Sequence, residues 1–183
     1  NIIKMNVQHK TVFNEINKLE FKIQARHNVT ADHKGNNRGI VVGYIKNREY
    51  YIQQFGYPKY AISRTSKTIK YNNLFYEAFM MGLCEIPDFF FTSIQINKNH
   101  KCCKHIDSFN IGVSYIIGLG DYTGGELRIY NKKDDSYEDI DIRNKWYSFN
   151  GSKQYHETLP FTGERYSLVY YKLFNEDDVK MEI

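Results

Sequence analysis

From Phe89 onward the chain breaks into short apolar runs separated by turn residues, and this pattern restricts its fold more than any other feature. Phe89–Asn97, Ile111–Leu119, Glu126–Tyr130, Tyr137–Ile142, Lys145–Phe149 and Tyr166–Phe174 read as short strands. Gly124-Gly125, Lys132–Ser136, Asn150-Gly151 and Thr162-Gly163 punctuate them. Six strands at this spacing, preceded by helices, predict a small double-sheet barrel of the jelly-roll kind.

The region before Phe89 has a different grammar. Thr11 can cap a helix whose apolar positions Val12, Phe13, Ile16 and Leu19 follow helical spacing. Phe21–Ala25 alternates as a strand does, His27–Gly39 is polar and reads as a loop, and Ile40–Ile45 reads as a strand. Arg48–Lys70 looks irregular, with a turn at Gly56–Pro58. Leu74, Phe75, Ala78, Phe79 and Leu83 form a second helical stripe that should stop before Pro87. The expected class is therefore α+β, with the N-terminal helices packed on the larger sheet. No internal repeat or linker divides the 183 residues. They read as one domain, with a basic entry region over 1–88, a β-core over 89–174 and an acidic tail over 175–183.

Composition removes several classes. The 29 aromatic residues supply too much apolar area for a disordered chain, and no apolar run approaches the roughly 18 residues of a membrane span. Three cysteines, two of them adjacent, make no disulfide framework and suggest a reducing compartment, cytoplasmic or nuclear, without secretion. Charge is uneven: residues 1–75 hold 13 Lys/Arg against 4 Asp/Glu, and residues 76–183 hold 12 against 17. A net of +9 in the first part and −5 in the second points to an anionic partner, of which nucleic acid is the commonest large one.

Three residues carry the chemistry. His105 and Asp107 stand at i and i+2 in KHID, which puts both side chains on one face of an extended segment. His156 follows 49 residues later. Two imidazoles and a carboxylate on one side of a metal leave the other side open, which is the ligand set of non-haem Fe(II) oxygenases. Arg165 comes nine residues after His156, with Ser167 two positions on. The intervening PFTGE reads as a turn, so His156 and Arg165 should lie on neighbouring strands. A guanidinium fork beside a hydroxyl suits the distal carboxylate of a dicarboxylate such as 2-oxoglutarate.

The pattern HxD…H…RxS on a double-stranded β-helix resembles the Fe(II)/2-oxoglutarate-dependent dioxygenase superfamily, over Phe89 to Tyr171. More narrowly, FTSIQINKN (91–99), YIIGLGDYTGGELRIY (115–130) and HETLPFTGERYSLVYY (156–171) resemble a branch of algae, protists and large viruses. That branch is akin to the TET/JBP-like oxygenases, which oxidise the methyl group of 5-methylpyrimidines. The resemblance implies His105, Asp107 and His156 as iron ligands and Arg165 with Ser167 as the 2-oxoglutarate anchor. It further implies that Gln95 and Asn97, on the strand before HxD, touch the co-substrate, as polar side chains do in AlkB-type enzymes. Fe(II), 2-oxoglutarate and O2 are the implied cofactors, with ascorbate as an accessory reductant. The first 75 residues match no family, and the long insertions and Cys-rich zinc modules of animal TET proteins are missing.

The substrate expected from charge and resemblance is a methylated base in DNA or RNA. A protein side chain, prolyl or other, is the alternative, and a non-catalytic binding module is a third reading. Arg38 and Arg64 are candidate phosphate or substrate contacts, and Tyr44, Tyr57 and Tyr60 candidate stacking partners for a base. Gly124-Gly125 suggests a hairpin turn with positive φ, or a close backbone approach at the barrel mouth. His100, Cys102 and Cys103 lack the spacing of a zinc site and read as loop residues near the iron.

Overall fold

The computed structural model describes residues 5–20, 38–47, 61–134 and 136–179. The expected strand Phe21–Ala25, most of the loop His27–Gly39, the turn at Gly56–Pro58 and both Tyr57 and Tyr60 lie outside the described residues.

Helix α1 spans Val7–Asn17. It begins earlier than the apolar stripe suggested, because Asn6 is the cap: its side chain accepts the His9 amide at 2.7 Å. Thr11 is instead inside the helix, and its hydroxyl donates back to the Val7 carbonyl. Strand β1 (Arg38–Asn47) covers the expected Ile40–Ile45 run. The stretch read as irregular contains strand β2 (Ala61–Arg64) and a short helix α2 (Ser66–Lys70), the latter capped by Thr65. A hydroxyl-rich sequence hid this helix, since the same residues favour caps and turns. Helix α3 (Asn72–Glu85) ends before Pro87 as expected.

The remaining strands are β3 (Ser93–Lys98), β4 (Ser114–Leu119), β5 (Tyr122–Gly124), β6 (Leu127–Tyr130), β7 (Tyr137–Ile140), β8 (Tyr147–Phe149), β9 (His156–Thr158), β10 (Phe161–Gly163) and β11 (Tyr166–Tyr171). A final helical turn, α4, covers Glu176–Val179. All six expected strands are present, most of them shorter than their apolar runs. The three-residue strands β5, β9 and β10 were too short to show a period.

The large sheet has the order β2-β1-β3-β11-β4-β8 and is antiparallel throughout. Opposite it stand a three-stranded sheet, β7-β6-β9, and the pair β10-β5. This is an α+β jelly-roll with helices α1 and α3 on the outer face of its larger sheet. Alternation along the central strands explains why both faces are occupied. On β3, Ile94 and Ile96 point to the helices, and on β11 Tyr166, Leu168 and Tyr170 do the same, joining Val12, Ile16, Leu74, Ala78 and Met81 in one core. A second apolar cluster, Ile116, Leu127, Ile129, Ile142 and Phe149, fills the space between the sheets. Gly82 permits the close seat of α3, because a Cβ there would lie 2.7 Å from the Tyr170 ring and 2.8 Å from Phe91.

A polar hub fastens the helices to the barrel. The Glu85 carboxylate takes hydrogen bonds from Trp146 Nε1 at 2.6 Å, His9 Nε2 at 2.8 Å and Asn6 Nδ2 at 3.1 Å. No helix among the described residues is long and apolar enough to cross a membrane.

Candidate active site

The same alternation that sends Ile94 and Ile96 outward turns Gln95 and Asn97 inward, and on β11 it turns Ser167, Val169 and Tyr171 inward. With residues of the opposite sheet they line a cavity of about 100 Å3. His105, Asp107 and His156 meet there, with one ligand atom of each within 4.8 Å of the others. His105 comes from an extended loop segment and His156 from β9, and the two are joined by a bridge in which each amide donates to the other's carbonyl at 3.0 Å. Asp107 is fixed separately, its amide donating to the Gly151 carbonyl at 2.8 Å. Among the described residues this is the single group of three or more His, Cys, Asp or Glu side chains that could hold a metal.

The imidazoles are already set for ligation. His105 Nδ1 bonds the Cys103 carbonyl at 2.7 Å and His156 Nδ1 bonds the Gln154 carbonyl at 3.0 Å. A carbonyl can only accept, so each Nδ1 carries the proton and each Nε2 keeps its lone pair for a metal. Burial pushes the His156 imidazole below its ordinary value; the nearby Asp107 charge opposes this, and His105 adds to it. Burial thus favours the neutral imidazole, the form that ligates. His105 Nε2 lies 3.7 Å from Asp107 Oδ1, and His156 Nε2 lies 3.7 Å from Asp107 Oδ2. Ligands at roughly 2.1 Å from one metal and at right angles stand about 3 Å apart, so small side-chain shifts close the set. Donor types and tautomers thus fit a first-row divalent ion.

Arg165 is 2% exposed and does not line the triad's cavity. It lies two positions before Ser167, with its Nε donating to the Gly125 carbonyl at 3.1 Å and its guanidinium 5.6 Å from both the Tyr122 and Phe161 rings. Among the described residues no carboxylate forms an ion pair with it. Beside it stands the buried Tyr122 hydroxyl, close enough to the guanidinium to interact with it. A buried cation and a hydroxyl side by side, with no carboxylate in an ion pair among the described residues, suit an anion. Sequence reasoning passed over Tyr122, which sits in the stretch read as a turn. Gly125 serves both of its readings: φ is +73°, and a Cβ there would lie 2.8 Å from Arg165 Cδ. The glycine pair does not turn a hairpin, however, since β5 and β6 belong to different sheets.

One expectation about topology is overturned. His156 and Arg165 are not on neighbouring strands: β9 lies beside β6 in the small sheet, and β11 lies between β3 and β4 in the large one. The segment read as a turn contains β10, which pairs with β5 and carries the chain from one sheet to the other.

Gln95 Nε2 donates to Asn97 Oδ1 at 2.9 Å, and Asn97 Nδ2 reaches Ser167 Oγ at 3.4 Å, a polar row across β3 and β11 on the cavity wall. His100 and Cys102 also line the cavity but do not join the ligand group. Arg64 is exposed on β2 and lines a different cavity, of about 250 Å3, together with Tyr44, Phe75 and Phe79 of the helix-covered side. Arg38 opens β1, and its side chain lies outside the described residues. Tyr44 packs edge-on against Phe174.

No protein-family model matches the chain, and no curated protein matches it in sequence. Solved structures do share its fold. An oxidoreductase of the 2OG-Fe(II) oxygenase family from Burkholderia pseudomallei superposes with a TM-score of 0.57 at 17% identity, covering 87% of this chain and 76% of that one. A Trichoplax adhaerens prolyl hydroxylase in complex with a hypoxia-inducible-factor peptide gives 0.51 at 15%, over 95% and 79%. OsALKBH1 gives 0.51 at 12%, over 90% and 92%. The chain thus shares its fold with these 2-oxoglutarate-Fe(II) oxygenase structures, and inside that fold it carries the His-Asp-His group.

Proposed function

We propose that the chain is an Fe(II)- and 2-oxoglutarate-dependent dioxygenase that hydroxylates a C–H bond, with the methyl group of a 5-methylpyrimidine in DNA or RNA as its substrate. The observation that carries the oxygenase reading is the meeting of His105, Asp107 and His156, far apart in sequence, inside a cavity between two sheets.

Ferrous iron, when bound, supplies dioxygen activation coupled to decarboxylation of 2-oxoglutarate to succinate and CO2. The chain supplies the rest. His105 and His156 offer Nε2, and Asp107 offers a carboxylate oxygen. Arg165 and the Tyr122 hydroxyl receive the distal carboxylate of the co-substrate, and Ser167, Asn97 and Gln95 give its flank polar contacts. Ile116, Leu127, Phe149 and Val169 form the apolar part of the wall and limit water around the reacting centre.

The nucleic-acid reading is supported by the +9 charge of residues 1–75 and by an exposed ring close in sequence to Asp107. Phe109, two residues past Asp107, is 47% exposed, with Lys46 Nζ 5.5 Å from its ring centre. An exposed ring beside a cation can stack a base and meet its phosphate. The peptide held by the Trichoplax relative supports the second reading, a side-chain hydroxylase.

The deciding experiment measures succinate released by the iron-loaded protein with methylated oligonucleotides and with prolyl peptides. Oligonucleotide-dependent succinate is the expected result, and His156→Ala should abolish it. Full turnover in that variant would remove His156 from the metal.

A further inference from the structure

We propose that Asn110 is a positioning residue that holds Asp107 as a one-oxygen ligand and so keeps a coordination position open for the co-substrate. The inference rests on the metal-centre reading above and adds a role for a side chain outside the ligand motif.

The two oxygens of Asp107 each stand 3.7 Å from one candidate ligand nitrogen, Oδ1 from His105 Nε2 and Oδ2 from His156 Nε2, but they differ in hydrogen bonding. Oδ2 accepts a hydrogen bond from Asn110 Nδ2 at 3.2 Å. The same amide nitrogen lies 3.4 Å from the hydroxyl of Ser114, which is fully buried at the start of β4. Asn110 therefore ties the ligand loop to the large sheet. On its other side Oδ2 meets Gly151, where a Cβ would lie only 2.8 Å away. The Gly151 carbonyl also accepts the Asp107 amide. Oδ2 thus has an amide donor on one side and, on the other, a glycine whose missing side chain leaves it room.

This matters because a carboxylate binds a hard cation through one oxygen or through both. Two-oxygen binding would occupy one of the positions that a ketoacid needs. A hydrogen bond from a neutral amide to an anionic oxygen is charge-assisted and takes up lone-pair density on that oxygen. Oδ1 is left as the stronger donor toward the metal. Among the described residues no other side chain donates a hydrogen bond to Asp107.

The test compares the metal-free wild-type protein with Asn110→Leu, which keeps the side-chain volume and removes the donor. Each is titrated with Co(II), followed by visible absorption, and the Co(II)-loaded proteins are then titrated with 2-oxoglutarate. The variant should bind Co(II) with an altered visible spectrum and should bind 2-oxoglutarate at least about tenfold more weakly, the lower end of the range that supporting residues of metal sites show. The melting temperature of the metal-free variant should stay close to that of the wild type, which a purely structural residue would not allow. A smaller loss of 2-oxoglutarate affinity, or an unchanged Co(II) spectrum, overturns the role of Asn110. If Asn110→Leu does not fold, Asn110→Ala is measured against the same threshold. A wild-type protein that gives no Co(II) spectrum removes the metal centre itself, an outcome distinct from failure of the Asn110 role alone.

Discussion

An imidazole can ligate a metal through either ring nitrogen, and in this chain the backbone makes the choice. The Cys103 and Gln154 carbonyls each stand two residues before the histidine they orient. Since any residue type supplies a carbonyl, nothing in the letters of the sequence marks this device. Arg165 is the opposite case: its residue type is the message, but its value lies in forming no ion pair with a carboxylate among the described residues. A charge-assisted hydrogen bond in a buried site contributes roughly 1.5–3 kcal/mol, or about ten- to a hundredfold in affinity. Arg165→Ala should therefore raise the 2-oxoglutarate concentration needed for half-maximal turnover by at least about tenfold. Co(II) affinity should stay near the wild-type value, because Arg165 touches no ligand. Titrating both compounds checks this, and an unchanged 2-oxoglutarate requirement would take Arg165 out of the anchor.

At the level of elements, the helices and the barrel are held by apolar packing and by one carboxylate. Burial raises the Glu85 pKa, but hydrogen bonds from His9, Trp146 and Asn6 outweigh it and leave the carboxyl below its usual value of 4.5. A carboxylate with a depressed folded pKa adds stability that is complete above its unfolded pKa and is lost as pH falls through the folded one. Glu85→Gln should consequently lower the melting temperature at neutral pH, with a cost of about 1–3 kcal/mol for the disturbed buried bonds. The gap between variant and wild type should narrow as pH drops below 4.5. Melting curves across this range decide the matter; a gap that stays constant into strong acid would show that the charge of Glu85 is not what joins α1, α3 and Trp146. The strands β5, β9 and β10 teach a related lesson. Three residues form too short a window for alternation to register, so the strand that carries His156 and the pair that changes sheets were both invisible as periods.

For the molecule as a whole, the imbalance of charge sets the expected partner. If the basic first part tracks a phosphate backbone, the affinity for a methylated oligonucleotide should fall steeply with salt, by roughly 0.7 to 0.9 log units per log unit of salt for each phosphate neutralised. Phe109→Ala should weaken oligonucleotide binding by about 1–3 kcal/mol if the ring stacks a base. Succinate formed without substrate should persist in that variant. A shallow salt slope with tight peptide binding would favour the protein-hydroxylase reading instead.

The sequence by itself determined the class of fold and singled out the candidate ligands His105, Asp107 and His156 and the cation Arg165, because each of these depends on residue type and local period. Alternation named the strands, and imidazole, carboxylate and guanidinium are recognisable wherever they stand. Only the tertiary structure decided that the chain changes sheets between His156 and Arg165, that Tyr122 stands beside Arg165, that Arg64 lines another cavity, and that Asn110 reaches one oxygen of Asp107. Those are relations between segments distant in the chain or between side chain and backbone. They are set by how two sheets close over a shared core, which no local pattern of residues encodes.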